Sequence, residues 1–283
     1  MTAGDQTFGR LQSLARSAAA KQRTAAPTQE LLTRHLLESF LHRLTLTPHH
    51  DDFILKGGVL LAAYGVRRAT KDADANAISA DVTPDHLRRV VADIAQLDLS
   101  DGVSFHLDTL QIVQIRDTAQ YPGFRIRIAA SIGPWQGVCA WDVSTGDPIV
   151  PAPRIVQIER VLGDPITLLG YAPETAIAEK AVTILERGLT STRWRDYVDI
   201  DQLCQAGFDP QELLRSATAV ADYRGVTLTP IAPLLKGYGA LHQAKWAAWR
   251  RKEQLDDRTE ANLDDQITRV AAWIDPILGR PTG

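Results

Sequence analysis

The chain has 283 residues, of which 45% are hydrophobic and 23% charged, and a formal net charge of −3. That balance suits a chain with a substantial buried core and excludes a protein whose overall charge alone would draw it to nucleic acid or membrane. Two cysteines without paired spacing, Cys139 and Cys204, argue against a zinc site and a disulfide framework and fit a reducing cytoplasm. The amino terminus lacks the apolar core of a signal peptide and no run approaches a membrane span, so a cytoplasmic protein is expected.

In chain order, residues 1–27 form a basic, partly flexible segment. Residues 1–47 hold six Lys/Arg (Arg10, Arg16, Lys21, Arg23, Arg34, Arg43) against Asp5, Glu30 and Glu38. Such a segment either follows a nucleic-acid backbone or presents a solvated helix face. After Thr28, Leu31, Leu32, Leu36, Leu37, Phe40 and Leu41 recur at the spacing of an amphipathic helix. "DDFILK" reads as a short buried strand ending at Gly57-Gly58, "VLLAAYG" as a helix closed by Gly65, and "KDADANAI" as extended chain. Pro84 opens the helix "PDHLRRVVADIAQLDL". "VSFHLDTLQIVQIRD", "FRIRIAAS" and "GVCAWDVS" read as strands. The proline-rich "GDPIVPAPRIVQI" is a crossing that carries a boundary, and beyond about residue 165 the chain reads as mostly helical. The expected layout is α/β, with a mixed-sheet core over 28–164 and a helical domain over 165–283.

Chemistry concentrates around Asp72 and Asp74. In a strand, residues i and i+2 share a face, so Asp-x-Asp sets two carboxylates side by side. They repel unless a cation lies between them, and Mg²⁺ or Mn²⁺ with hard oxygen ligands is the usual answer. With thirteen residues between them and Asp72, Gly57 and Gly58 join strand to helix, where exposed N–H groups and a helix dipole attract an anion and the missing Cβ atoms admit phosphate. Asp142 ends an apolar strand beside Val138, Ala140 and Val143, where an unpartnered carboxylate is costly. It either completes a metal site with the aspartate pair or serves as base for an attacking hydroxyl.

The ordered set "KGG…ATKDADAN…WDVS…AEKAVTILERG…RWRDYVDI" resembles the AbiEii/MenT family of nucleotidyltransferase toxins, within the DNA polymerase β-like superfamily, over roughly residues 30 to 280. Val59 departs from the Ser or Thr usual after the glycines, which leaves phosphate binding there to backbone N–H groups. The resemblance implies a nucleotidyltransferase core with a mixed, twisted sheet followed by a helical domain. It implies transfer of NMP from an NTP to an RNA acceptor, the tRNA 3′ end, by the toxin of a toxin–antitoxin pair, with translation inhibited. It assigns Asp72, Asp74 and Asp142 to the metal, and Gly57, Gly58, Lys71 and Lys180 to the NTP. Asp199 supports Lys180 or a substrate hydroxyl, ahead of its neighbour Asp196. Thr70 matches a position where phosphorylation by a partner controls the toxin. A small-molecule or protein acceptor, or a non-catalytic RNA-binding role, are the rival readings.

On the helix "PETAIAEKAVTILERG", Ile177, Ala181, Ile184 and Leu185 form the expected apolar face, Glu179 points to solvent, and Lys180 lies at the border. Asp196 and Asp199 could equally pair with Arg193 or Arg195 as structural bridges. Arg67, Arg68, Arg250, Arg251 and Lys252 are candidates for RNA phosphates, with Trp246 and Trp249 either stacking on bases or lying in the core. None of the seven histidines has metal-ligand spacing, and none is assigned a role.

Overall fold

A computed structural model describes residues 1–22, 27–66, 68–78, 82–115 and 123–280. Helices α1 (Ala3–Gln22) and α2 (Thr28–Thr45) lead into β1 (Phe53–Lys56), a single helical turn α3 (Gly57–Leu60), a 3₁₀ turn (Leu61–Tyr64) and β2 (Ala73–Ala77). Helix α4 (Pro84–Gln96) precedes three long strands, β3 (Val103–Ile115), β4 (Gly123–Ile132) and β5 (Trp135–Thr145). Strands β6 (Arg154–Ile158) and β7 (Ile166–Gly170) follow. Helices α5 (Pro173–Arg187), α6 (Trp194–Ala206), α7 (Pro210–Arg224), α8 (Ile231–Leu234), α9 (Tyr238–Lys252) and α10 (Leu263–Leu278) complete the chain. Among the described residues no helix is long and apolar enough to cross a membrane.

Seven strands form one mixed sheet in the order β3-β4-β5-β2-β1-β7-β6. Pairs β3/β4, β4/β5 and β1/β2 are antiparallel, whereas β2/β5 and β1/β7 are parallel. The fold is α/β, as expected, but the proline-rich crossing hides a strand. Its "RIVQI" stretch is β6 at the sheet edge, and β7 forms at the start of the part expected to be mostly helical. Ile155 in β6 is 75% exposed, so the strand lacks the two-sided burial that would have made it legible.

Two compact units divide the chain. The first comprises 1–63, 67–146 and 155–170, and the second 64–66, 147–154 and 171–283. In the first, α2 and α4 cover the sheet, and Phe40 and Phe53 pack on Trp141 of β5 at ring separations of 5.3 and 4.7 Å. Helix α1 lies against α2 and β4 with Leu11 and Ala15 fully buried. In the second, α5 packs on α6 and α7, and α10 on α6, α7, α8 and α9.

Part of the amino-terminal positive charge is structural. Arg43 is buried and its guanidinium clasps Asp101 at 2.6 and 2.9 Å, while Nε donates to the Leu97 carbonyl at 2.9 Å. Burial pushes the Asp101 carboxyl up, but Arg43 outweighs it and holds the group at about 2, below its ordinary 3.8. The stability this pair contributes is therefore complete above pH 3.8 and lost as pH falls toward 2. Arg43→Met should cost about 3 kcal/mol at neutral pH, because it strands a mostly buried carboxylate. Urea midpoints of parent and variant should converge on acidification through that window. A difference that stays constant down to pH 2 would rule out the ion pair as its cause.

Candidate active site

Strand register brings two of the sequence candidates, Asp74 and Asp142, into one row with two residues that were not candidates, while Asp72 lies just before β2 and outside the row. Lys56 of β1 is opposite Asp74 of β2, Asp74 is opposite Asp142 of β5, and Asp142 is opposite Arg125 of β4. Residues opposite one another share a sheet face, so four charged side chains cross four neighbouring strands on one side. The adjacent row, Ala73, Trp141 and Ile126, is buried on the other side, where Trp141 meets Phe40 of α2. Alternation thus separates a core face from a chemical face at a single residue step.

The glycine turn is built against this row. Gly57 has φ of +67°, and a Cβ there would lie 1.9 Å from Asp74 Oδ2. A Cβ on Gly58 would lie 2.8 Å from Thr70 Oγ1 and 3.1 Å from Arg68 Nη1. The Thr70 hydroxyl stands 3.1 Å from both the Asp72 carbonyl and Asp72 Oδ1. One glycine therefore seats the second aspartate and the other seats the threonine that holds the first. The expected helix dipole is a minor contributor, since α3 is a single turn followed by 3₁₀ structure. Any anion attraction at Gly57-Gly58 rests on the backbone N–H groups themselves.

Arg125 was not among the sequence candidates. It donates to Asp142 through Nε at 2.9 Å and Nη2 at 2.5 Å. The Asp142 carboxylate raises the guanidinium above its ordinary value, and Asp72 and Asp74 add to that. A positive charge thus stands on Asp142, where a cation would otherwise be needed. "FRIRIAA" did mark Arg125 and Arg127 as one-faced, but only register placed the first of them on Asp142. Lys56, quoted in "KGG" yet given no role, was likewise located by register. On the Mg²⁺–NTP reading that the resemblance implies, Arg125→Gln should lower the Mg²⁺ concentration needed for half-maximal NTP binding about 1.4- to fivefold, matching the ~0.2–1 kcal/mol of a half-exposed ion pair. A higher requirement in the variant would mean that Arg125 assists binding instead of competing with it.

The second unit holds its own charged cluster. Lys180 Nζ, on α5, stands 2.8 Å from Asp199 Oδ2 and 3.0 Å from Asp196 Oδ1, both on α6. Both carboxylates are buried, and Asp196 also accepts from Arg193 Nε at 2.5 Å. Burial pushes the Asp196 carboxyl up, but Lys180 and Arg193 outweigh it and hold it below its ordinary value. The structural-bridge reading of Asp196 with Arg193 is therefore present, whereas Arg195 pairs with Glu253 at 2.6 Å. Glu179 departs from its expected solvent position: it is half-buried and accepts from the Tyr171 hydroxyl at 2.9 Å.

The remaining candidates separate by exposure. Lys71 is exposed, while Arg67 lies outside the described residues. Arg250 is a correction, because it is buried and donates to Thr259 Oγ1 at 2.7 Å and to the carbonyls of Asp256 and Thr259. A guanidinium committed to three acceptors in the interior is not presented to RNA phosphates. Arg251 and Lys252 are exposed. Trp246 is fully buried with its indole N–H on the Glu260 carbonyl and so belongs to packing, while Trp249 stacks on it and is half-buried.

Residues 39–269 match the model of a family described as nucleotidyl transferase AbiEii toxin, type IV TA system. The chain belongs to the AbiEii family. Among curated protein sequences no relative matches. Two solved structures resemble this AbiEii-family chain. One is a candidate nucleotidyltransferase from H. pylori, 17% identical with a TM-score of 0.49, the match covering 88% of this chain and 95% of that one. The other is JHP933 from Helicobacter pylori, 15% identical with a TM-score of 0.48, covering 88% and 91%. The family is one of nucleotidyltransferases that act as toxins. Neither structural similarity assigns a residue of the site.

Proposed function

We propose that this AbiEii-family chain transfers a nucleoside monophosphate from an NTP to an RNA hydroxyl, with the tRNA 3′ end as acceptor and arrest of translation as the result. The observation that supports this most is the register of Asp74 against Asp142, beside a glycine whose missing side chain makes room for the Asp74 carboxylate. The donor set fits Mg²⁺, which takes hard oxygens and keeps positions for substrate phosphates. Asp72, Asp74 and Asp142 would hold the ion. When bound it supplies charge neutralisation at the α-phosphate and at the departing pyrophosphate.

The chain's own groups carry the other roles. Backbone N–H groups of Gly57 and Gly58, together with Lys71, take the triphosphate. Asp142 accepts the proton of the acceptor hydroxyl as its oxygen bonds to the α-phosphorus. The bond from α-phosphorus to the bridging oxygen breaks, and that oxygen leaves with its electron pair as pyrophosphate. Asp142 can do so only after yielding at least one of its two bonds to Arg125, whose half-exposed side chain is free to turn toward phosphate. By family resemblance Lys180 neutralises phosphate charge, with Asp199 holding it. A phosphate on Thr70 would set negative charge against Asp72, the means by which a cognate antitoxin would silence the enzyme.

The deciding experiment incubates the protein with Mg²⁺, total tRNA and each labelled NTP separately, beside Asp72→Ala. Label entering tRNA with the parent alone supports the reading and names the nucleotide. Label on protein, or NTP binding without labelled RNA, would replace the RNA acceptor by a protein or small molecule. Absence of NTP binding would remove the nucleotide site altogether.

A further inference from the structure

Two of the histidines given no role from spacing, His49 and His86, meet in the first unit away from the carboxylate row. His49 Nδ1 lies 3.6 Å from Asp52 Oδ2, and donor atoms of His49, Asp52 and His86 all fall within 4.8 Å of one another. The rings of His49 and His86 stand edge to face with centroids 5.5 Å apart. A zinc–nitrogen bond of about 2.0 Å puts each ring centre about 3 Å from the ion, so two ligating rings at a tetrahedral angle stand roughly 5 Å apart. The observed separation is close to that requirement.

A further contact suits one ring nitrogen to a ligand role. His49 Nε2 is 3.0 Å from Asp93 Oδ2, on α4. In the tautomer that donates Nε2–H to that carboxylate, the neutral ring leaves its Nδ1 lone pair on the side of Asp52. Ligating histidines are commonly oriented in this way, by a carboxylate on the other ring nitrogen. His86 is set by the first turn of α4, where its backbone N–H donates to Thr83 Oγ1, and its ring stacks beside Phe53.

We propose that His49, Asp52 and His86 form a binding site for a divalent transition-metal ion, zinc by ligand chemistry, with Asp93 as the residue that orients His49. Two imidazoles and one carboxylate select zinc over Mg²⁺, the reverse of the all-oxygen preference of the aspartate row. The expectation drawn from the cysteine count does not reach this site, because it uses no sulfur. Asp52 immediately precedes β1 and Lys56 ends it, so the ion would clip the start of the strand to α4 roughly 13 Å from the chemical row at its other end. The clip is structural, and nucleotide transfer does not depend on it.

The test is calorimetric titration of untagged full-length protein with Zn²⁺ in excess Mg²⁺, which keeps the carboxylate row occupied. One equivalent should bind, more weakly as acid protonates the imidazoles. Asp93→Asn should weaken binding about ten- to a hundredfold, the range for removing a ligand's orienting partner. His86→Ala should abolish binding, and His50→Ala should leave it unchanged. Co²⁺ in place of Zn²⁺ should give visible bands of a low-coordinate site in the parent and none in His86→Ala. Should His86→Ala fail to fold, Asp52→Asn serves for both readouts. Absence of saturable binding, binding indifferent to Asp93→Asn, or binding lost with Asp72→Ala or His50→Ala instead would each overturn the assignment.

Discussion

Asp74→Asn should lower nucleotide transfer about a thousandfold while leaving stability close to that of the parent. The amide keeps the size of the side chain beneath Gly57, where Oδ2 occupies the space a Cβ would need. What it removes is one negative charge from the row facing Asp142. A loss of ~4 kcal/mol of charge stabilisation, within the several supplied by a catalytic metal, is about a thousandfold in rate. Stability should move little. Asp74 faces the like charge of Asp142 on one side and the opposite charge of Lys56 on the other, and opposed pairs of each kind contribute with opposite sign. Melting in chelator should therefore show Asp74→Asn close to the parent, while single-turnover transfer across a Mg²⁺ series collapses. Retention of activity within tenfold would remove Asp74 from the metal set. Gly57→Ala should reach the same inactive end by geometry, since the new Cβ collides with Asp74 at a backbone φ of +67°.

Lys180→Met should destabilise the protein by about 3–5 kcal/mol at neutral pH, the usual cost of stranding buried charge. Asp199 and Asp196 are both buried, and Lys180 is an ion-pair partner of each. The pH dependence gives this loss a signature. In the parent the Asp196 carboxyl is held below its ordinary value, so its contribution is present above pH 3.8 and lost as pH falls further. Without the ammonium only Arg193 still opposes burial at Asp196, so the carboxyl protonates more readily than in the parent, and acidification should relieve the variant while bringing the parent no gain. Urea midpoints measured from pH 7 to 5 test this, and parallel curves would count against it. The double variant Lys180→Met/Asp199→Asn separates structure from catalysis. Recovery of stability without activity would place Lys180 on the nucleotide, and recovery of both would make it a structural tie alone.

These expectations draw on information of two kinds. Local pattern alone determined that "FILK" is a strand, that Gly57-Gly58 turns it, and that Asp74 lies on extended chain, although the structure places Asp72 in the bend just before it. Alternation and glycine stereochemistry act over a few residues, so each of these can be read without a neighbour. The order of the motifs identified the family for the same reason. Pairing between distant segments decided the rest. That Asp142 faces Asp74, that Arg125 occupies Asp142, and that Lys56 closes the row follow from the register of four strands drawn from residues 53 to 145. Arg43 and Arg250 look like surface cations in sequence, and only their burial beside Asp101 and Thr259 shows them to be structural. His49 and His86 are 37 positions apart and have no ligand spacing, yet the packing of α4 near the start of β1 sets their rings face to edge. Sequence spacing reports what one element presents, whereas a site assembled from several elements exists only once their register and packing are set.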